Sequence, residues 1–424
     1  MNENPAPQEK TQENAREFPD PPAASNEGQL VASPLSGAPD ETPTPANRRA
    51  QGQFLTGRAA RELDAGALSP GKLAWRQLRK NKLAMIGLWT LVALYSMAIL
   101  APFLSPYSAV NANPGERSLT YHPPMKIRFR NAQGGFSSPF VYQTQRTRDE
   151  NFDMVDLPLA SEPRPIRFLV RGDEYRFLGI VPSSLHLFGV EDGAVHLLGT
   201  DQQGRDYLSR LLYGSQISLS VGLLAIAITF SLGMLVGGLS GFYGGKIDDL
   251  IMRGCEILMS VPDFYLLLAL AAALPPDMNP VLVYVLIIAI LSFVGWAGMA
   301  RIVRGMTLSV REREYVEAAR SLGTSDLKII TRHILPSTFT FAIVAATMSV
   351  PGYILGEAGL SFLGLGIREP MASWGNMLSA AQDLTTIEDR QWILAPGVLI
   401  FITTLAYNFL GDGLRDALDP KSRR

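Results

Sequence analysis

A single cysteine, Cys255, occurs in 424 residues, so no internal disulfide can form and no cysteine-rich metal cluster can be built. The four histidines (His122, His186, His196, His333) are scattered without ligand-like spacing, which gives no reason to expect a metal. The formal net charge is −1, and that balance gives no reason to expect nucleic acid. A phosphate-cradling loop, G-x-x-x-x-G-K-[ST], is missing too. The nearest run, SGFYGGKI, has Ser240 at the first glycine position and Ile247 after the lysine. If this chain moves cargo with ATP, another chain must bind the nucleotide. Residues 1–70 have few large apolar side chains. They cannot bury enough surface to offset their ordering entropy, so they are expected to form a disordered cytoplasmic tail. With no apolar core near their start, they are not expected to act as a signal peptide.

What the chain does have is long apolar runs. A bilayer core of ~30 Å needs ~20 apolar helical residues. Six segments meet that need: 84–104, 217–240, 250–274, 281–300, 338–358 and 392–411. The third is the weakest, because Pro262 and Asp263 interrupt it. An all-α polytopic membrane protein with six transmembrane helices is expected. Basic residues fix its orientation. Arg76, Arg79, Lys80 and Lys82 precede the first span, Lys246 and Arg253 mark the loop between spans two and three, and Arg415, Lys421, Arg423 and Arg424 follow the last. Arg301, Arg304, Arg311, Arg313, Arg320, Lys328 and Arg332 crowd the connection between spans four and five, whereas LPPDMNP after span three has neither Lys nor Arg. Both termini are therefore expected in the cytoplasm. On this reading residues 71–104 hold a cytoplasmic segment and the first span, 105–205 form an external insertion, and 206–424 hold five more spans. Alternating runs such as MKIRFR, FVY and PIRFLVRG make the insertion a small β-rich unit.

Small and charged residues inside the spans carry the next signals. Gly233, Gly237, Gly241 and Gly245 recur at steps of four in span two, making one small face that lets a helix approach closely, within the chain or across a subunit interface. Gly352 and Gly356 repeat the spacing in span five. Among ionisable residues within spans, Asp263 and Glu357 stand out, and such groups are candidates for a translocation path. The chain lacks the ladder of intramembrane charges that a proton-driven carrier would use, and it shows no channel filter. A membrane scaffold without flux is the remaining rival.

The connection after span four contains EYVEAARSLG, Glu314–Gly323. Tyr315, Ala318, Ala319 and Leu322 fall at i, i+3, i+4 and i+7, which predicts an amphipathic helix. Gly323 suits the position just past its end. TSD then offers caps for a second helix, LKIITRHIL, expected to end near Pro336. The stretch EAARSLGTSDLKIITRHILP resembles the EAA loop of ATP-binding-cassette importer permeases: Glu317, Ala318, Ala319, Gly323, Leu335 and Pro336 match in register, and His333 gives the RHILP form of the dipeptide/oligopeptide/nickel branch. LGTDQQGRDYLSRLLYGSQISLSVG, GEAGLSFLGLG, SWGNML and RDALDP are similar to segments of the same branch and favour its C-type subunit.

The resemblance implies a type I ABC importer permease in a bacterial inner membrane. Its partners would be a second, homologous permease, two ATPase subunits that hold ATP and magnesium, an external solute-binding protein and the lipid bilayer. The chain itself would hold no cofactor or metal and catalyse nothing. Its coupling loop, 302–337, would dock in the ATPase, with Glu317 orienting it, Ala318 and Ala319 permitting the approach and Gly323 setting the turn. Peptides are the expected cargo; nickel, opines or oligosaccharides are the alternatives.

Overall fold

The computed structural model describes residues 70–108, 119–130, 135–148, 154–177, 179–191 and 193–419. The tail expected over residues 1–70 lies outside them apart from Pro70, as do the last five residues. Five helices among the described residues are long and apolar enough to cross a membrane, and a bent pair makes a sixth crossing if counted as one span. The permease part is thus helical, with two small sheets inserted after the first span.

A short helix, α1 (Pro70–Leu78), leads into the first span, α2 (Lys82–Ile99). Asn81 caps α2 by accepting a hydrogen bond from the Ala84 amide at 3.2 Å, which satisfies an amide that has no partner within the helix. One turn, α3 (Ala101–Leu104), follows. The strands then come as β1 (Arg128–Arg130), β2 (Phe136–Arg148), β3 (Met154–Pro165), β4 (Arg167–Phe177) and β5 (Val181–Gly189). β1, β2 and β3 form an antiparallel meander, with Arg128 opposite Phe140 and Phe140 opposite Pro165. β4 and β5 form a separate hairpin, with Arg167 opposite Gly189. Met125, Val141, Ile166 and Val195 make a small core beneath them. The runs MKIRFR, FVY and PIRFLVRG lie in or beside β1, β2 and β4, as their alternation predicts.

The central span is α4 (Tyr207–Tyr243), capped by Asp206 accepting from the Ser209 amide at 2.7 Å. It packs lengthwise against α7 (Pro280–Arg311), whose start combines an Asn279 cap with proline in its first turn. Glycines permit that approach. A Cβ on Gly233, Gly237 or Gly241 would lie 2.4 Å from Met299, 2.3 Å from the Ala300 carbonyl oxygen and 2.7 Å from Thr307, respectively. The small face is therefore an intramolecular seam over three of the four glycines. Gly245 does not continue it, which corrects that expectation. Gly244 and Gly245 have φ of +65° and +54°, so the chain turns out of α4 there and α5 (Gly245–Ser260) begins. Gly352 also faces open space, whereas Gly356 packs against Leu291 and Leu267.

The expected third span, 250–274, is broken. α5 and α6 (Asp263–Ala272) meet at a bend of 81°. Pro262 sits at the break, where its missing N–H and fixed φ stop a helix from running through. Beyond α7 come α8 (Glu314–Ser321) and α9 (Asp326–Ile329), a π-helical turn (Ile330–Ile334) and α10 (Leu335–Phe362). The second helix of the loop therefore does not end at Pro336; it runs on into span five as one helix over Asp326–Phe362. A proline ring conflicts with the carbonyl four residues back. The wider π turn just before Pro336 opens the ladder where that conflict would fall. Short helices α11 (Trp374–Leu378) and α12 (Leu384–Asp389) lead to the last span, α13 (Ala395–Leu418). α13 packs on α2, where Gly87 and Gly413 give close contact with Ala406 and Ala84.

Candidate functional site: a coupling knob and its supports

Helix α8, the turn after it and α9 make a rigid knob on the arginine-rich end of the bundle. Val316 and Ala319 point inward and join Phe242, Val310, Ile329, Ile330 and Ile334 in one cluster. Gly323, at φ +76°, ends α8: its amide bonds the Arg320 carbonyl at 3.0 Å, and the Thr324 amide bonds the Ala319 carbonyl at 3.1 Å. That pair of bonds is the Schellman closure, which needs the left-handed conformation glycine adopts without strain. Ser325 precedes α9 but makes no side-chain cap, so TSD does not cap α9 through its hydroxyls or carboxylate. Arg320 lies over the Phe242 ring at 5.3 Å, and Arg311 donates to the Gly241 carbonyl oxygen at 3.0 Å. Both tie the knob to the end of α4.

What α8 presents outward differs from the expected stripe. Ala318 is exposed, together with Tyr315 and Leu322, the last at 85%. Ala319 is buried against the bundle. The two adjacent alanines therefore face different ways, one out and one in, because neighbours on a helix are turned by roughly 100°. Leu327 adds another exposed apolar side chain. Glu317 is exposed in the first turn of α8 and has no ion pair among the described residues. His333 is half-buried with its ring 6.5 Å from that of Tyr315, and Tyr315 shares a 3.0 Å hydrogen bond with Ser337. Leu335 packs inward on the same cluster, while Pro336 is exposed. A rigid surface offering Tyr315, Ala318, Leu322 and Leu327 with the exposed carboxylates of Glu314 and Glu317 is suited to a protein partner.

The two intramembrane carboxylates stand in opposite settings. Asp263 opens α6 at the bend and is exposed. Glu357 is fully buried in α10, where Ser218 donates to it at 3.1 Å and Ser361 at 2.7 Å. Through Ser218 it joins α10 to α4.

Sequence reasoning gave no role to the charge cluster at the opposite end of the bundle. Arg205 bonds Asp201 at 2.7 Å and Glu369 at 2.5 and 3.0 Å, and Arg210 bonds Glu369 at 2.7 Å. Two guanidinium groups thus balance two carboxylates between the approach to α4 and the loop after α10. A cavity of about 160 Å³ adjoins them, with Tyr121, Gln203 and Asn376 on its wall. The signal was present in GTDQQGRD, but the partner Glu369 lies 164 residues away. Burial pushes the Glu369 carboxyl up, yet the hydrogen bond from Arg205 and the charges of Arg210 and Arg205 outweigh it and hold the carboxyl below its ordinary range. A depressed carboxyl stabilises the fold above the unfolded-state value, ~4.3, and that stabilisation is lost as pH falls through the folded value. The purified protein should therefore lose melting temperature between about pH 5 and pH 3. Glu369→Gln should melt lower at pH 7 and show a smaller loss over the same range. Parallel melting curves for the two proteins across that range would rule the clasp out.

At the knob end, Arg304 donates to Asp248 at 3.0 and 2.5 Å and Ser240 donates to it at 2.5 Å. This pair fixes the start of α5 to α7.

Five apolar helices of crossing length, or six crossings with the bent pair, a helical knob and a clasped opposite end describe a multi-pass membrane protein. Residues 202–424 match the binding-protein-dependent transport system inner membrane component, and residues 69–124 match the N-terminal TM domain of oligopeptide transport permease C. The chain belongs to this family of ABC importer permeases. It is 36% identical to the dipeptide transport system permease protein DppC of Bacillus subtilis over 369 residues, covering 87% of this chain and 91% of that protein. It is 46% identical over 231 residues to the oligopeptide transport system permease protein OppC of Haemophilus influenzae, covering 54% and 71%. It is 42% identical over 228 residues to the glutathione transport system permease protein GsiD of Pectobacterium atrosepticum, covering 54% and 73%.

Proposed function

We propose that this chain is one of two membrane subunits of an ATP-driven importer of short peptides. It lies in the inner membrane with both termini in the cytoplasm and residues 105–205 outside. Two ATPase subunits, which bind ATP and magnesium, dock on the knob. A second, homologous permease completes the path, and an external solute-binding protein delivers the cargo. Nucleotide binding closes the ATPase pair and moves the knobs, and the spans alternate between inward and outward access, a rigid-body shift driven by a partner's ligand. The relatives named for dipeptide, oligopeptide and glutathione transport support peptides as the cargo.

The outward face of α8 carries this reading. Cysteine placed at Ala318 or Leu322 should crosslink to an ATPase subunit in membranes, whereas cysteine at the inward Ala319 should not. Gly323→Asp, which puts a side chain at φ +76° and a charge on the docking face, should abolish peptide uptake while the complex still reaches the membrane. Crosslinks from Ala318 that land only on lipid, or normal uptake in Gly323→Asp, would sink the docking role.

A further inference from the structure

Helix α1 presents one charged stripe. Lys72, Trp75 and Arg76 fall at i, i+3 and i+4, and Arg79, whose amide still bonds the Trp75 carbonyl at 3.0 Å, continues the row. All four are exposed. The opposite face is already used: Leu78 is buried and joins Ala84 and Ala417 in one cluster, which pins α1 to the end of α13 and the start of α2. The Lys80 amide bonds the Gln77 carbonyl and the Asn81 amide bonds the Leu78 carbonyl, each at 3.0 Å. The chain therefore turns directly into α2, which opens with Lys82. Five cations thus lie between positions 72 and 82 on a fixed scaffold, and no Asp or Glu occurs between Asp64 and Glu116. The last turns of α13 carry Asp412 and Asp416 beside Arg415, yet none of the five cations makes an ion pair among the described residues.

The packing sets where this stripe stands. Gln216, near the start of α4, donates to the Ala98 carbonyl oxygen at the far end of α2 at 2.9 Å, so the start of α2 lies with the end of α4, at the knob end of the bundle. Past the cationic turn, the outer face of α2 continues as exposed Leu83, Ile86 and Trp89. Cations above a row of apolar side chains match a molecule that is anionic at one end and hydrocarbon at the other. Trp75, 48% exposed among the cations, has the amphipathic ring that settles at headgroup depth. The row from Lys72 to Arg79 is roughly 10 Å long, close to the Debye length of ~10 Å at about 0.1 M salt. Its charges therefore act together on one headgroup. Guanidinium groups grip two oxygens of a phosphate at once.

We propose that α1, the turn after it and the first turns of α2 form a binding site for an anionic phospholipid in the leaflet at the knob end. Lys72, Arg76 and Arg79 hold the phosphate region, and Leu83 and Ile86 lie along an acyl chain. A zwitterionic lipid has no net charge to draw the stripe, and a free phosphate ion gains nothing from the apolar row. The peptide-importer reading stands or falls independently, because the knob shares none of these residues.

The test uses the full chain in nanodiscs of phosphatidylcholine doped with either brominated phosphatidylglycerol or brominated phosphatidylcholine. Bromine quenches a tryptophan that it touches, and subtracting the signal of Trp75→Phe from that of the wild type isolates Trp75. Attraction near an anionic surface amounts to about fivefold per cation. Brominated phosphatidylglycerol should therefore half-quench Trp75 at a mole fraction about tenfold or more below that of brominated phosphatidylcholine. Lys72→Gln/Arg76→Gln/Arg79→Gln should cut this preference at least about fivefold, whereas Lys72→Arg/Arg76→Lys/Arg79→Lys, which keeps the charge, should retain it. Raising the salt from about 50 mM to about 500 mM should weaken the preference in the wild type. If the glutamine variant fails to fold, that salt series decides alone. Equal quenching by the two lipids would overturn the site, as would a preference that survives neutralisation or high salt. No quenching by either lipid would show that protein covers this face, and competition by about 10 mM inorganic phosphate would show a free-anion site; either result would also overturn it.

Discussion

Gly237→Leu should leave little folded permease in the membrane, whereas Gly352→Ala should leave the wild-type amount. Both positions are glycines in spanning helices, and sequence spacing treats them alike. The structure separates them. A Cβ at Gly237 would lie 2.3 Å from the Ala300 carbonyl oxygen and 2.9 Å from the Val303 Cβ, while a Cβ at Gly352 would meet nothing within 4 Å. Backbone cannot yield as a flexible side chain can, so α4 and α7 must part along their length. Lipid tails are as apolar as the side chains they replace, and helix association in a membrane depends on close packing and interhelical hydrogen bonds. Overpacking costs about 1–3 kcal/mol in soluble cores and more where backbone is struck. Gly233 and Gly241 meet Met299 and Thr307 in the same seam, so the strain would spread to contacts already tight. Quantitative immunoblotting of membranes, with detergent size-exclusion profiles, reads the outcome. Wild-type amounts of monodisperse Gly237→Leu protein would refute the seam.

The second large effect is expected at Glu357. Its carboxylate accepts from the Ser218 and Ser361 hydroxyls, and these accept in turn from the Trp374 and Ile367 amides at 3.0 and 2.9 Å. One buried side chain thus fastens the loop after α10 to α4 and α10 at two points. Glu357→Leu removes both acceptors and leaves two buried hydroxyls unsatisfied, at a cost of about 1–3 kcal/mol each. Glu357→Gln keeps one acceptor oxygen and should lose less. The loop contains Arg368, so trypsin reports on it directly. Glu357→Leu should melt at lower temperature and be cut after Arg368 faster than wild type. An unchanged cleavage rate and melting temperature would show that the serines find other partners.

Much of this architecture was legible in the sequence because apolar runs of bilayer length admit few structures. Four expected spans lie on continuous helices, the first ends at Ile99 before the separate turn α3, and the weak third broke where Pro262 announced it. The strands after the first span followed from their alternation. Less legible were features set by tertiary context. Periodicity showed that α8 has an apolar side, but Tyr315–Ala318–Leu322 and Val316–Ala319 are both apolar stripes, and only the cluster around Phe242 decides which turns inward. Four-residue glycine spacing pointed to a close seam but not to the turn that removes Gly245 from it. Pro336 signals a helix end, yet the π turn before it let the helix pass. The Arg205–Glu369 clasp joins residues too far apart in the chain for any local pattern to reveal.

The unbroken run from Asp326 to Phe362 has a mechanical consequence. Its 37 residues amount to a shaft of about 55 Å at 1.5 Å per residue. Its foot is in the knob and its head carries Glu357 and the clasped loop. A tilt of about 5° at the foot would sweep the head through roughly 5 Å on that length. Force applied at one face of the bundle need not be relayed residue by residue to the other. It can arrive as leverage, with the π turn and Pro351 as places along the shaft where the ladder is already slack.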